Sequence, residues 1–304
     1  MNYIKKIKNI LVVLLGLNSY LYGNIGIVRL YARFPRILPL NARIQHGWYV
    51  NTSSNKDDLN SDRPLMLVWS KRIAELWKEK SVKPVEILGA PFVLYRRIKN
   101  ITIKAEACGT VVFPHHSTKS HEIEYEIDEY CRTLHDLPVE YKPVTVCLYY
   151  MDFDSQSPIF KKHGFNVVTV GKPRWWGFRF VKRFYDILSK HRYCTSNAIG
   201  SYTFYSVEMG IPFFLSGSGS VIKLRPGQKK FDPNTIFPNE VFLENLILLF
   251  SEIRTTISDE QRKIVLDEVG VNDAISPERL RHLFFKNISI SKIIGKVDKI
   301  KDEI

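Results

Sequence analysis

Between Val111 and Leu215 the chain alternates short β-branched or aromatic runs with segments of helical spacing, and most runs stop at Gly, Pro or a polar cluster. Val111–Phe113, within GTVVFPHHS, reads as a strand ended by Pro114. His121–Leu134 places Ile123, Ile127, Tyr130, Cys131 and Leu134 at helical spacing. The pattern continues with a strand over Val144–Tyr150, a short helix over Pro158–His163, a strand over Asn166–Val170 and an amphipathic helix over Phe178–His191. Tyr193–Ser196 predicts a strand, Ser201–Met209 a helix stopped by Gly210, and Pro212–Leu215 a strand running into the SGSGS turn. Strands and helices alternating at this spacing imply parallel βαβ units in a doubly wound sheet.

The flanks carry the same grammar more faintly. Leu65–Trp69 predicts a strand, Lys71–Lys80 a helix and Val85–Leu88 a strand closed by GAP, while Asn51–Asp62 has the composition of a loop. A boundary falls at Arg96–Thr102, where the basic RRIKN segment follows the last of these strands. Beyond Glu240 the chain is mainly helical, with Asp259–Val269 and Pro277–Phe285 as separate helices and Ser276 as an N-cap. The 304 residues therefore divide into a basic N-terminal domain (1–100), a Rossmann-like domain (101–240) and a helical tail (241–304).

Charge is unevenly placed. Residues 1–100 hold 17 basic and 6 acidic side chains, and no carboxylate precedes Asp57, which points to an anionic partner such as lipid headgroups, a phosphorylated acceptor or nucleic acid. Lys5, Lys6 and Lys8 followed by the apolar run Ile10–Leu17 imitate a signal peptide, yet no small-x-small cleavage site follows and Arg29, Arg33 and Arg36 continue the basic character. The run is too short to span a bilayer; it fits a core element or a basic segment resting on an inner leaflet. The four cysteines lie far apart without zinc or C-x-x-C spacing, as in a reduced compartment.

In open α/β sheets ligands bind outside the carboxyl ends of the strands, so polar residues just after strands are the candidates. His115, His116, Ser117, Thr118 and Lys119 follow the first strand, a grouping of imidazoles, hydroxyls and an ammonium suited to phosphate or to a polar, helix-capping turn. Asn197, Gly200 and Ser201 open the Ser201–Met209 helix, where free amides form an anion site. Glu208 lies further along that helix, where it accepts ribose hydroxyls or faces solvent. Gln45-His46-Gly47-Trp48 sets an imidazole beside a glycine in the N-terminal part, a pairing suited to general-base work or to a structural turn. Asp152 and Asp154 have the D-x-D spacing of a metal site after the strand Val144–Tyr150.

Taken in order, HGW, ILGAPF, HHS and SNAIGSYTFYSVEMGIPFF resemble nucleotide-sugar-dependent glycosyltransferases of the two-Rossmann (GT-B) type, especially bacterial capsule and lipopolysaccharide enzymes, and the related sugar-nucleotide 2-epimerases. The likeness spans residues 40–216. It implies an α/β fold of two Rossmann-like domains, the N-terminal one reduced, with the helical tail appended. It further implies the His46-Gly47 segment in the cleft, the Gly200-Ser201 helix start at the donor phosphates, Glu208 holding the donor, and no metal or cofactor beyond the nucleotide sugar as substrate; beside it, the residues themselves assign His46 as base and His115, His116, Ser117, Lys119 and Asn197 to the donor. His115-His116 replaces the epimerases' His-Arg pair, which favours transfer over epimerisation. The implied partners are a nucleotide-sugar donor, a glycan or lipid-linked acceptor and an anionic inner-membrane surface, with the protein peripheral on the cytoplasmic side. A nucleic-acid-binding module is disfavoured, because Phe180, Phe184, Ile187 and Leu188 sit at core spacing rather than as an exposed stacking face. A non-catalytic scaffold of polysaccharide assembly is the remaining alternative.

Overall fold

The computed structural model describes residues 21–36, 38–50, 61, 63–119, 121–173, 178–225 and 240–288. The run Ile10–Leu17 and most of the Asn51–Asp62 loop lie outside them. In chain order the N-terminal half contains α1 (Asn24–Ala32), β1 (Arg43–Ile44), β2 (Met66–Val68), α2 (Lys71–Lys80), β3 (Val85–Ile87) and α3 (Pro91–Ile98). The second half contains β4 (Thr110–Val112), β5 (His121–Glu124), α4 (Ile127–His135), β6 (Val144–Cys147), α5 (Phe153–Lys162), β7 (Asn166–Val168), α6 (Arg179–Leu188), β8 (Tyr193–Ser196), α7 (Ser201–Met209), β9 (Phe213–Leu215) and β10 (Val221–Leu224). Three helices close the chain: α8 (Glu240–Leu249), α9 (Asp259–Val269) and α10 (Pro277–Lys286).

Two parallel sheets organise these elements. The smaller has the order β1-β2-β3, and the larger the order β7-β6-β4-β8-β9. In the larger sheet the winding runs outward from β4 through β6 and β7, then reverses to β8 and β9. The reversal leaves a crevice between the carboxyl ends of β4 and β8, the switch point at which ligands enter such sheets. The protein is thus an α/β chain of two Rossmann-like units, the first reduced to three strands.

Local sequence explains the helices. Ser70 caps α2 by accepting the Ile73 amide proton, and Ile73, Ala74 and Trp77 face the small sheet. Val181, Phe184, Tyr185 and Leu188 turn one side of α6 inward. Ser276 caps α10 by accepting from the Arg279 amide. One departure concerns His121–Leu134, whose helical spacing is divided: His121–Glu124 forms β5, antiparallel to β10, and the helix starts at Ile127. Pairing with a strand a hundred residues away outweighs local periodicity there. A second is PFVLYRRI, which forms α3 with Pro91 in its first turn rather than a linker, so the basic RRIKN segment begins on a helix. A third is α5, which begins at Phe153 and carries Pro158 inside it.

The C-terminal helices lie against the small sheet. The Ile275 amide donates to the Ile87 carbonyl at 2.7 Å, the Ala90 amide to Val269 at 2.8 Å, and the Tyr31 hydroxyl to Ile275 at 2.7 Å. Gly270, at φ 59°, ends α9 where a Cβ would stand 1.8 Å from the Trp69 carbonyl oxygen, so no side chain fits. Among the described residues, no helix is long and apolar enough to cross a membrane.

The two halves share one apolar core. Phe92 of α3 stacks on Tyr205 of α7 with centroids 5.2 Å apart, Phe184 of α6 lies 5.8 Å from Phe92, and Phe113 lies 5.4 Å from Phe184. Beside this seam the Glu208 side chain, 2% exposed, accepts two hydrogen bonds from Arg96 (2.8 and 2.7 Å) and one from Arg97 (3.0 Å). A buried carboxylate clamped by two guanidiniums fixes α7 to α3. Glu208→Ala leaves Arg96 without its counter-charge at a largely buried position. We expect a stability loss on the order of 3 kcal/mol, reduced by the partial exposure of Arg97; urea denaturation checks it, and an unchanged midpoint would remove the clamp from the account.

Candidate functional site

The loop after β1 is anchored at several points. The Gln45 side chain, fully buried, accepts the Trp69 amide proton at 2.8 Å and donates to the Gly47 carbonyl at 2.7 Å. The Trp48 amide donates to Ser201 Oγ at 3.0 Å, and its indole N–H donates to Glu268 at 2.7 Å while the ring stacks on Phe204. Glu268 is paired in turn with Arg72 through two bonds of 2.7 and 2.6 Å, and Arg72 also donates to the carbonyl of Tyr49 at 2.7 Å. His46 is therefore carried on a turn tied to the small sheet, α7, α2 and α9 at once.

The loops at the switch point meet it from the other side. The His115 amide donates to Asn197 Oδ1 at 2.8 Å, joining the loop after β4 to the loop after β8. His115 Nδ1 lies 2.6 Å from Ser220 Oγ. Asp152, buried, accepts the Ser117 amide proton at 2.8 Å and so sets the turn. Between the halves stands an aromatic group: the Tyr22 ring lies 5.0 Å from His46 and 4.8 Å from Phe180, its hydroxyl is 3.3 Å from that of Tyr149, and the Tyr149 ring lies 4.3 Å from His116. Tyr22 adopts φ 66°, a left-handed conformation rare for a bulky side chain.

Electrostatics follows from this enclosure. Burial, with the charge of Arg43 adding to it, pulls the pKa of His46 down to about 4. His116 is likewise drawn to about 4 by burial and by the neighbouring His115 and His46, and His115 to about 4 by burial and His121. All three half-buried rings are neutral near pH 7. His46 is available to take a proton, and His116 to donate one N–H and accept at the other nitrogen.

The sequence candidates thus separate. His46, His115, His116 and Asn197 converge. Asn197 is 8% exposed, and its Nδ2 has no hydrogen-bond partner among the described residues, so a buried donor stands unused at the switch point. Ser117 is turned to support, its hydroxyl accepting the Ile123 amide proton at 3.1 Å, and Lys119 is exposed at the start of the turn into β5. Gly200 makes room for protein: a Cβ there would lie 2.8 Å from the Tyr202 ring. At Gly47, by contrast, a Cβ would meet only Ser201 Oγ, at an ordinary contact distance of 3.4 Å. Ser201 serves the HGW loop, and Glu208 the clamp to α3. Asp154 is exposed, and no cluster of three or more His, Cys, Asp or Glu suited to a metal ion occurs among the described residues.

No protein-family model matches the chain, and no curated protein matches it. Among solved structures, it is similar to the wall teichoic acid polymerase TagF at TM-score 0.39 and 11% identity, over 80% of this chain and 60% of that one. It is similar to the glycosylation associate protein (Gap123) complex from Streptococcus agalactiae at TM-score 0.34 and 16% identity, over 82% of this chain and 44% of that one. For the GtfA/B complex the values are 0.35 and 14%, over 81% and 52%. The chain thus spans less than two thirds of each. Similarity at this level carries no conclusion about activity, and the fold rests on this chain's own strand order.

Sequence reasoning missed Tyr22, Tyr149 and the Trp48–Glu268–Arg72 group. Tyr149 follows the end of β6, so the rule that selected His115 and His116 reaches it too. The other partners come together through tertiary packing and carry no local signal.

The histidines set an acid limit. An unfolded imidazole titrates near pH 6.5. In the folded protein His46, His115 and His116 resist protonation until about pH 4, so the unfolded chain binds the extra protons between these values. Conformational stability should fall as pH drops from about 6.5 toward 4. In urea titrations across that range, His116→Gln should flatten the dependence; an identical slope would show that the ring titrates normally.

Proposed function

We propose that the chain is a glycosyltransferase that moves a sugar from a nucleotide-activated donor to a surface-glycan or lipid-linked acceptor. The observation that carries this is the meeting of His46, from the carboxyl end of the small sheet, with His116 and Asn197 at the switch point of the large one. A cleft built from two Rossmann-like units in this way suits two substrates, one from each side. The motif likeness of HGW and SNAIGSYTFYSVEMGIPFF to GT-B enzymes supplies the chemistry.

In this reading the nucleotide and its phosphates lie against the β4 and β8 loops. Asn197 Nδ2 and a His116 N–H donate to the phosphate oxygens. The acceptor hydroxyl lies beside His46. Its oxygen attacks the anomeric carbon, the bond from that carbon to the phosphate oxygen breaks, and the hydroxyl proton passes to the neutral imidazole. General-base assistance of this kind contributes about 10²- to 10⁴-fold.

A thermal-shift panel of UDP-, CMP-, GDP- and dTDP-sugars tests the reading, since a ligand at about 100 times its Kd stabilises the native state by about 2.7 kcal/mol. One nucleotide class should raise the midpoint. Asn197→Ala and His116→Ala should weaken that shift, whereas His46→Ala should preserve it and lower turnover at least 100-fold. If no nucleotide sugar moves the midpoint, the proposal fails; turnover of the donor to an epimer without acceptor would replace it with the epimerase reading.

A further inference from the structure

We propose that the outer stripe of α6, together with the end of α3 and the segment that follows it, is a docking surface for an anionic lipid bilayer. Arg179, Lys182, Arg183 and Asp186 of α6 are exposed at helical spacing, opposite the buried Val181, Phe184, Tyr185 and Leu188, and exposed Lys190 follows in the turn after the helix. Lys182 is bonded to Asp186 at 2.7 Å, which leaves the stripe strongly positive. The segment after α3 runs alongside: the Lys104 amide donates to the Ser189 carbonyl at 2.9 Å, the Cys108 amide to Lys190 at 3.0 Å, and the Tyr95 ring lies 5.3 Å from Phe178. This segment adds exposed Lys99 and Lys104, with Glu106 as its acid. Among these cations Ile98 and Ile103 are 39% and 36% exposed.

Cations interleaved with isolated aliphatic side chains match the headgroup and upper acyl region of an anionic leaflet. They do not match a single-stranded nucleic acid, because the aromatics of α6 point inward and isoleucine offers a base no stacking face. Placement agrees. The described structure opens beside α6, where Tyr22 meets Phe180 at 4.8 Å, and the 20 residues before it contain Lys5, Lys6 and Lys8 and no acid. The same Tyr22 lies 5.0 Å from His46, so the inward side of α6 borders the candidate cleft and its outer stripe faces away from it. The inference deepens the lipid-linked version of the acceptor, but its test reads lipid association alone and is independent of turnover.

The experiment is sedimentation of the full chain with vesicles of phosphatidylcholine alone or mixed with phosphatidylglycerol. Binding should require phosphatidylglycerol, fall with salt, and weaken at least tenfold in Arg179→Gln/Arg183→Gln/Lys190→Gln. Unchanged binding by that variant, folded by circular dichroism, would overturn the proposal, as would equal binding to neutral vesicles. Tighter binding to a DNA oligonucleotide than to anionic vesicles would also overturn it. Should the triple variant fail to fold, Arg183→Glu carries the same two outcomes.

Discussion

Phe92 on α3 and Tyr205 on α7 stack nearly parallel, with centroids 5.2 Å apart and planes 17° apart, and this contact joins the two sheets into one body. Each sheet is too small on its own side to hide such rings from water. Burying a large aromatic removes about 150–250 Å² from solvent, so separating the halves would expose Phe92, Tyr205 and Phe184 together. The orientation of the sheets follows. With α3 and α7 pinned at this seam and Glu208 tying them with charge, the carboxyl ends of β1 and β4 face a common space. An open hinge between domains, usual where interfaces are small and polar, is disfavoured here by the apolar seam.

That fixed geometry also sets the chemistry of the imidazoles. His46 and His116 come from different sheets, and protonation of His116 is opposed first by its burial and then by His115 and His46, while that of His46 is opposed by burial and by Arg43. A neutral pair enclosed by Tyr22 and Tyr149 has the properties of a proton acceptor held ready without a counter-ion. The unused Asn197 Nδ2 stands on the same wall and completes a surface that can both donate and accept hydrogen bonds.

The larger sheet was legible in the sequence because its strands are bounded by glycine, proline or polar turns and its helices bury a regular stripe. Tyr193–Ser196 and Ser201–Met209 fall at the expected residues for that reason. The exceptions share a cause. β5 is a strand because β10 pairs with it, and Glu208 belongs to a clamp because α3 places two arginines against it, facts absent from any local window. At the site, residues immediately after β4 and β8 were found by position alone. Gly200 and Ser201 were found by the same rule, but the space beside them is taken by Tyr202 and Trp48. A glycine-serine helix start therefore marks close packing as readily as ligand approach.

The docking of α9 and α10 on the small sheet bears on the order in which the chain can fold. The Ile87 carbonyl of β3 accepts the Ile275 amide proton, the Ala90 amide in the turn after β3 donates to Val269, and the Trp48 indole finds its acceptor at Glu268. During synthesis the N-terminal strands emerge first, but the surfaces that cover them arrive with the last helices of the described structure. The larger sheet, whose strands all lie between Thr110 and Leu215, can assemble in the interval. The half of the molecule made first is thus completed last, and the turn bearing His46 gains its full set of anchors only when the C-terminal helices return to it.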